Sequence, residues 1–124
     1  SDKIDGIAKS YPPIQVQGEK EGDLLVIGWG GTYGAISSAT KALQDEGFSI
    51  SSIHLRYLNP FPNDLIDLLS SFNKILVPEL NLGQLSTLLK AKYIKEVISY
   101  NKIQGKPFKV TELREEFVKH LSKE

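Results

Sequence analysis

Apolar residues in this chain follow two rhythms. Leu24–Gly28 (LLVIG) is an unbroken apolar run, the pattern of a parallel strand covered on both faces. Ile36, Ala39 and Leu43 then recur at helical spacing. Thr32 is placed to cap that helix through its hydroxyl, and Gly47 to close it in a left-handed conformation. Ile50–Tyr57 (ISSIHLRY) is β-branched and alternating, which predicts a second strand. After two prolines in NPFPND, Asn63 or Asp64 can start a helix carrying Leu65, Leu68, Leu69 and Phe72 at i, i+3, i+4 and i+7. Lys74–Val77 reads as a strand ending at Pro78. Gly83 to about Lys92 reads as a helix with Leu85, Leu88 and Leu89 inward, and Val97–Tyr100 as a strand. Thr111 opens a last helix, with Glu112 in its first turn and Leu113, Phe117 and Leu121 on one stripe.

Strands that alternate with helices predict right-handed crossovers and a mainly parallel sheet between two helical layers. Ile14–Gln17 (IQVQ) alternates more weakly, and the loop joining it to Leu24 is too short for a helix. It is expected at an edge, antiparallel to the rest. Residues 1–13 are polar and punctuated by Gly and Pro. They read as a linker leading into a single α/β domain over residues 14–124.

Composition narrows the chemistry. Fifteen basic and fifteen acidic residues cancel, so no charge excess points to nucleic acid or to an anionic membrane surface. The longest apolar runs fall far short of a membrane span. There is no cysteine, which removes disulfides, thiol nucleophiles and any cysteine-ligated zinc or iron–sulfur cluster within this chain. Zero cysteine also fits a reducing, cytoplasmic compartment.

The first strand runs into four glycines within seven residues, Gly28, Gly30, Gly31 and Gly34. A dinucleotide turn needs G-x-G-x-x-G and an acidic ribose partner about twenty residues on. Here Tyr33 stands where the third glycine belongs, Gly34 comes one residue late, and the second strand ends in Arg56 rather than a carboxylate. The glycines are read as a tight turn that lets Trp29 and a partner backbone approach. A helix N-terminus there still suits an anion, so an autonomous anion- or nucleotide-binding module using the Gly28–Gly34 turn is the alternative. His54 alternates with Ser52 and Arg56 on one face of its strand, a polar face that is odd in a mainly parallel sheet. With no Ser, Cys or second His at a meaningful spacing, it is read as a structural, hydrogen-bonded histidine. His120, near the end of the last helix, is read as simply exposed.

Four segments carry a resemblance. GWGGTYGAI, HLRYLNPFP, VPELNLGQL and YNKIQGKPF, in that order, resemble the alpha subunit of 2-oxoacid:ferredoxin oxidoreductases, especially the 2-oxoglutarate type. The likeness runs from about Asp23 to Glu116. More distantly, a strand–Gly–helix unit, an LR-x-L-x-P segment and a strand ending in Glu resemble the carboxyl-terminal domain of transketolase-like enzymes. The resemblance implies a three-layer α/β/α fold with a five-stranded mixed sheet, order 1-3-2-4-5, strand 1 antiparallel. It implies a complex that decarboxylates a 2-oxoacid on thiamine diphosphate and Mg, reduces ferredoxin through iron–sulfur clusters and forms an acyl-CoA from coenzyme A. The cofactor motif and cluster cysteines belong to other domains and subunits. This domain is therefore expected to bind no cofactor, to be inactive alone, and to serve assembly with the rest of the alpha subunit and the beta subunit.

In the implied order, connections diverge between strands 2 and 4, where open α/β sheets bind ligands. The loops there place Trp29, Gly30, Thr32 and Tyr33 opposite Glu79, Asn81 and Gln84. Arg56 and Asn59, at the end of the second strand and in the stiff Asn59–Pro62 loop, extend the same edge. Tyr57, Phe61, Tyr100, Asn101 and Lys102 also fall at or just past strand ends. Rigid aromatic and amide groups of this kind suit contact with another protein surface. This crevice is the expected site, with a neighbouring domain rather than a small molecule as its expected occupant.

Overall fold

The computed structural model describes residues 14–29, 33–55, 65–79, 97–101 and 107–121. Their elements are β1 (Val16–Gln17), β2 (Gly22–Trp29), α1 (Tyr33–Asp45), β3 (Ile50–Leu55), α2 (Leu65–Ser70), β4 (Phe72–Glu79), β5 (Ile98–Asn101) and α3 (Val110–Lys119). The expected helix at residues 83–92 lies outside the described residues.

The five strands form one sheet in the order β1-β3-β2-β4-β5. β1 runs antiparallel to β3, with Val16 opposite Ile53, and the other pairings are parallel. Fold class, strand order and the odd first strand agree with the sequence expectation.

Alternation along each strand sends side chains to two separate cores. Leu24, Val26, Ile50 and Leu76 face α1 and α3, where Ile36, Ala39, Leu43, Leu113 and Phe117 meet them. Leu25, Ile27, Ile53, Leu55, Ile75 and Val77 face the opposite layer, against Leu65, Leu68 and Leu69 of α2. This is why β2 needs an unbroken apolar run: Leu24, Leu25, Val26 and Ile27 are all fully buried. Each such side chain contributes roughly 1.5–3 kcal/mol on burial.

Local chemistry sets the element ends. Gly47 adopts φ +93°, the amide of Phe48 bonds the Leu43 carbonyl, and the amide of Gly47 bonds that of Gln44. That pair of bonds is the Schellman closure a left-handed glycine permits. α2 stops after six residues, so Phe72, read from sequence as the last position of the helical stripe, instead begins β4. The hydroxyls of Ser70 and Ser71 donate to the carbonyls of Ile66 and Asp67, at 3.0 and 2.8 Å. Such back-bonding favours helix ends. Phe72 is buried all the same. β4 also continues past Val77 through Pro78 to Glu79. At the start of α3, the Lys109 amide donates to Glu112 Oε1 at 2.8 Å, the first-turn role expected of that glutamate.

Candidate functional site

The C-terminal edge of the sheet carries the geometry that matters. β2 and β4 stay in register only from Gly22–Phe72 to Val26–Leu76. β2 stays with β3 as far as Trp29–Leu55, and β4 with β5 as far as Glu79–Asn101. The last three residues of β2 and of β4 therefore have no partners in each other. The sheet divides at the switch point, and Pro78, which cannot donate to a ladder, sits in the divided part of β4.

Of the sequence-predicted site residues, Trp29 ends β2, Tyr33 begins α1 and Glu79 ends β4. Gly30, Thr32, Arg56, Asn59, Asn81 and Gln84 lie outside the described residues, as do Tyr57, Phe61 and Lys102. Glu79 is 4% exposed. By alternation it shares the α2 side of β4 with Ile75 and Val77, whereas Tyr33 joins the core on the α1 side. The sheet lies between these two residues, so they do not line one wall together. Tyr100 meets Phe108 with ring centroids 5.4 Å apart. Burial, and then the Glu112, Glu116 and Glu115 carboxylates, hold its phenol above the ordinary tyrosine value.

Tyr33 instead lies over β3. Its ring stacks on the imidazole of His54, with centroids 4.7 Å apart and planes within 5°. Its hydroxyl donates to Gln17 Oε1 at 3.3 Å and lies 3.2 Å from Ser52 Oγ. Gln17 ties the assembly together. Its Oε1 accepts from Ser37 Oγ at 2.6 Å, and its Nε2 donates to the Ser37 carbonyl at 2.9 Å. Gln44 Nε2 bonds the carbonyls of Gln17 and Ile50, at 3.0 and 2.9 Å. Thus the polar face of β3 is covered after all, by an aromatic ring and an amide network. His54 is held by stacking; neither ring nitrogen makes a hydrogen bond among the described residues. His120 is not simply exposed: its Nε2 lies 3.2 Å from Glu116 Oε2, and its carbonyl accepts from Lys74 Nζ at 2.9 Å.

Sequence reading missed Gln17, Ser37 and Gln44 as a unit. Its only trace was the polar positions of IQVQ, which gain meaning once β1 is set beside β3. Among the described residues no three His, Asp or Glu side chains gather as a metal site, and no helix is long and apolar enough to cross a membrane.

A five-stranded sheet with one antiparallel edge, helices on both faces and a divided C-terminal edge defines a three-layer α/β/α domain of the transketolase type. The chain superposes on a split-gene transketolase with a TM-score of 0.64 at 17% identity, covering 89% of this chain and 42% of that one, a likeness of fold alone. The chain belongs to the family of pyruvate:ferredoxin oxidoreductase core domain II, which matches residues 22–113. It is 42% identical over 112 residues to the 2-oxoglutarate oxidoreductase subunit KorA of Mycobacterium tuberculosis, covering 90% of this chain and 17% of that one. It also resembles the solved 2-oxoglutarate:ferredoxin oxidoreductase of Magnetococcus marinus, which has 2-oxoglutarate, coenzyme A and succinyl-CoA bound. There the TM-score is 0.86 and the identity 29%, over 96% of this chain and 21% of that one. The chain thus spans about a fifth of these relatives.

Proposed function

We propose that this chain is the carboxyl-terminal domain of the alpha subunit of a 2-oxoacid:ferredoxin oxidoreductase, of the 2-oxoglutarate type, working in the cytoplasm. The observation that carries the proposal is the family match over residues 22–113, joined to 42% identity with a 2-oxoglutarate oxidoreductase subunit. The complete enzyme converts a 2-oxoacid, coenzyme A and two oxidised ferredoxins to acyl-CoA, carbon dioxide, a proton and two reduced ferredoxins. Thiamine diphosphate with Mg and the iron–sulfur clusters are held elsewhere; this chain has no cysteine to ligate a cluster.

The domain's own task is assembly and shaping of the active-site entrance. Residues 1–13 serve as the linker and residues 14–124 as the domain. Trp29, Gly30, Thr32, Tyr33, Arg56, Asn59, Glu79, Asn81 and Gln84 belong to the edge that meets the rest of the alpha subunit and the beta subunit. The complete alpha–beta complex is expected to reduce ferredoxin with 2-oxoglutarate and coenzyme A, and more slowly with pyruvate. The 124-residue chain is expected to show neither turnover nor calorimetric binding of thiamine diphosphate. A complex inactive with every 2-oxoacid, or micromolar binding of NAD(P) by the chain, would overturn the proposal.

A further inference from the structure

We infer that residues 1–13 dock on the α2 side of the sheet, with the apolar stripe Ile4, Ile7, Ala8 and Tyr11 seated at the recess between β1 and α2. The inference goes beyond the function proposed above and does not depend on it. The recess has a volume of about 260 Å³ and is lined by Ile14, Val16, Lys20, Asp67, Leu68 and Ser71. Ile14, Val16 and Leu68 give it an apolar floor continuous with the core on the α2 side. Its volume falls short of the roughly 300–1,000 Å³ usual for small-molecule sites. Side chains of a polypeptide segment suit it better.

The occupant follows from where the chain enters. Ile14 is a wall of the recess, and Pro12 and Pro13 directly precede it. Proline restricts its own φ and keeps the residue before it extended, so the joint is short and stiff. A segment tethered so closely meets the recess at high effective concentration, and modest contacts suffice to hold it. Its sequence offers them. Ile4, Ile7, Ala8 and Tyr11 fall at i, i+3, i+4 and i+7, the spacing of one helical face, and Lys3 and Asp5 flank that face on opposite sides. The rim of the recess also carries both signs, in Asp67 and Lys20. Neither of these makes an ion pair among the described residues. Charges at such a rim set register more than affinity. A last observation is independent of the pattern. The superposition on the M. marinus enzyme covers 96% of this chain, more than residues 14–124 supply. Part of residues 1–13 therefore has a counterpart in that folded enzyme.

The chain has no cysteine, so an introduced pair reports on its own. Ile7→Cys is combined with Ser71→Cys at the recess, or with Ser38→Cys on α1, both serines being exposed. Under mild oxidation of the dilute 124-residue chain, the Ser71→Cys pair is expected to close at least tenfold faster than the Ser38→Cys pair. Equal rates overturn the inference. Disulfide-linked dimers in place of the internal bridge give the recess to a second copy and overturn it too. Amide exchange is the second readout. Ile7→Asp changes no described residue and is expected to speed exchange in α2 at least threefold, with α3 on the other face of the sheet as the reference. Removal of residues 1–13 should do the same. An α2 profile that Ile7→Asp leaves unmoved overturns the inference. So does α2 protection that appears only in the full-length alpha subunit, which gives the recess to another domain, or only on adding coenzyme A, which gives it to a small molecule.

Discussion

Gln17 is the residue whose removal discriminates best between a decorative and a structural network. Gln17→Leu keeps the volume and deletes the bonds to Ser37 Oγ, the Ser37 carbonyl and the Tyr33 hydroxyl. A net hydrogen bond is worth about 1 kcal/mol, and the long Tyr33 contact less. Tyr33 retains Ser52, and leucine regains a little apolar burial. The expected loss is about 2 kcal/mol. With a urea slope of roughly 1–3 kcal/mol per molar, the midpoint of the 124-residue chain falls by about 1 M. Ser37→Ala alone costs about 1 kcal/mol, because Gln17 keeps its other partners. The two changes together should cost less than their sum, with a coupling of about 1 kcal/mol in the double-mutant cycle. A Gln17→Leu midpoint within experimental error of the parent, or strictly additive changes, would refute the claim that this amide holds β1 and α1 on β3.

Three further outcomes follow from single sites. Gly18 has φ +119°, and a Cβ there would meet the Gln44 amide and lie 2.7 Å from Ser51 Oγ; Gly18→Ala should cost about 2–4 kcal/mol by urea unfolding, more than strain alone at an ordinary turn. Thr40 is fully buried and its hydroxyl has no partner among the described residues; Thr40→Val should raise stability by about 1 kcal/mol, visible as a higher Tm. The Tyr100 phenol is raised in the folded chain, so its contribution is complete below the unfolded tyrosine value near pH 10 and fades as pH rises through the folded one. Stability should therefore fall above about pH 10 in the parent and fall less steeply in Tyr100→Phe, read from unfolding midpoints between pH 8 and 11.

The sheet was legible because its signals are local. LLVIG has the short, unbroken apolar pattern of a strand with two covered faces, and the stripe of Ile36, Ala39 and Leu43 that of a helix with one. Strand order came with the family resemblance and the antiparallel edge from the weak alternation and short loop of IQVQ; the sheet order and the pairing of β1 with β3 agree with both. Misreadings arose where neighbours decide. Phe72 fits a helical stripe by spacing, yet the helix ends at Ser70, where the Ser70 and Ser71 hydroxyls bond back to the carbonyls of Ile66 and Asp67 and Phe72 goes on to open β4. His54 and Ser52 looked like an uncovered polar face because their cover, Tyr33 and Gln17, lies 19 or more residues away in sequence. Tyr33 and Glu79 were set facing each other by loop position. Side-chain alternation, which depends on register at the far end of β4, puts the sheet between them.

The two-residue β1 has a consequence for solubility. Without it β3 would be the border of the sheet, and its ISSIHL segment is uncharged apart from the histidine and rich in β-branched and small residues. Such a border invites edge-to-edge pairing between copies. β1 occupies that border at Ile53 and Ser52, and then turns away at Gly18. What it offers a foreign strand in place of β3 is a stub of two residues, fastened by side chains rather than by a long ladder. Loosening Gln17 should therefore show first as aggregation, before any loss of the domain's fold.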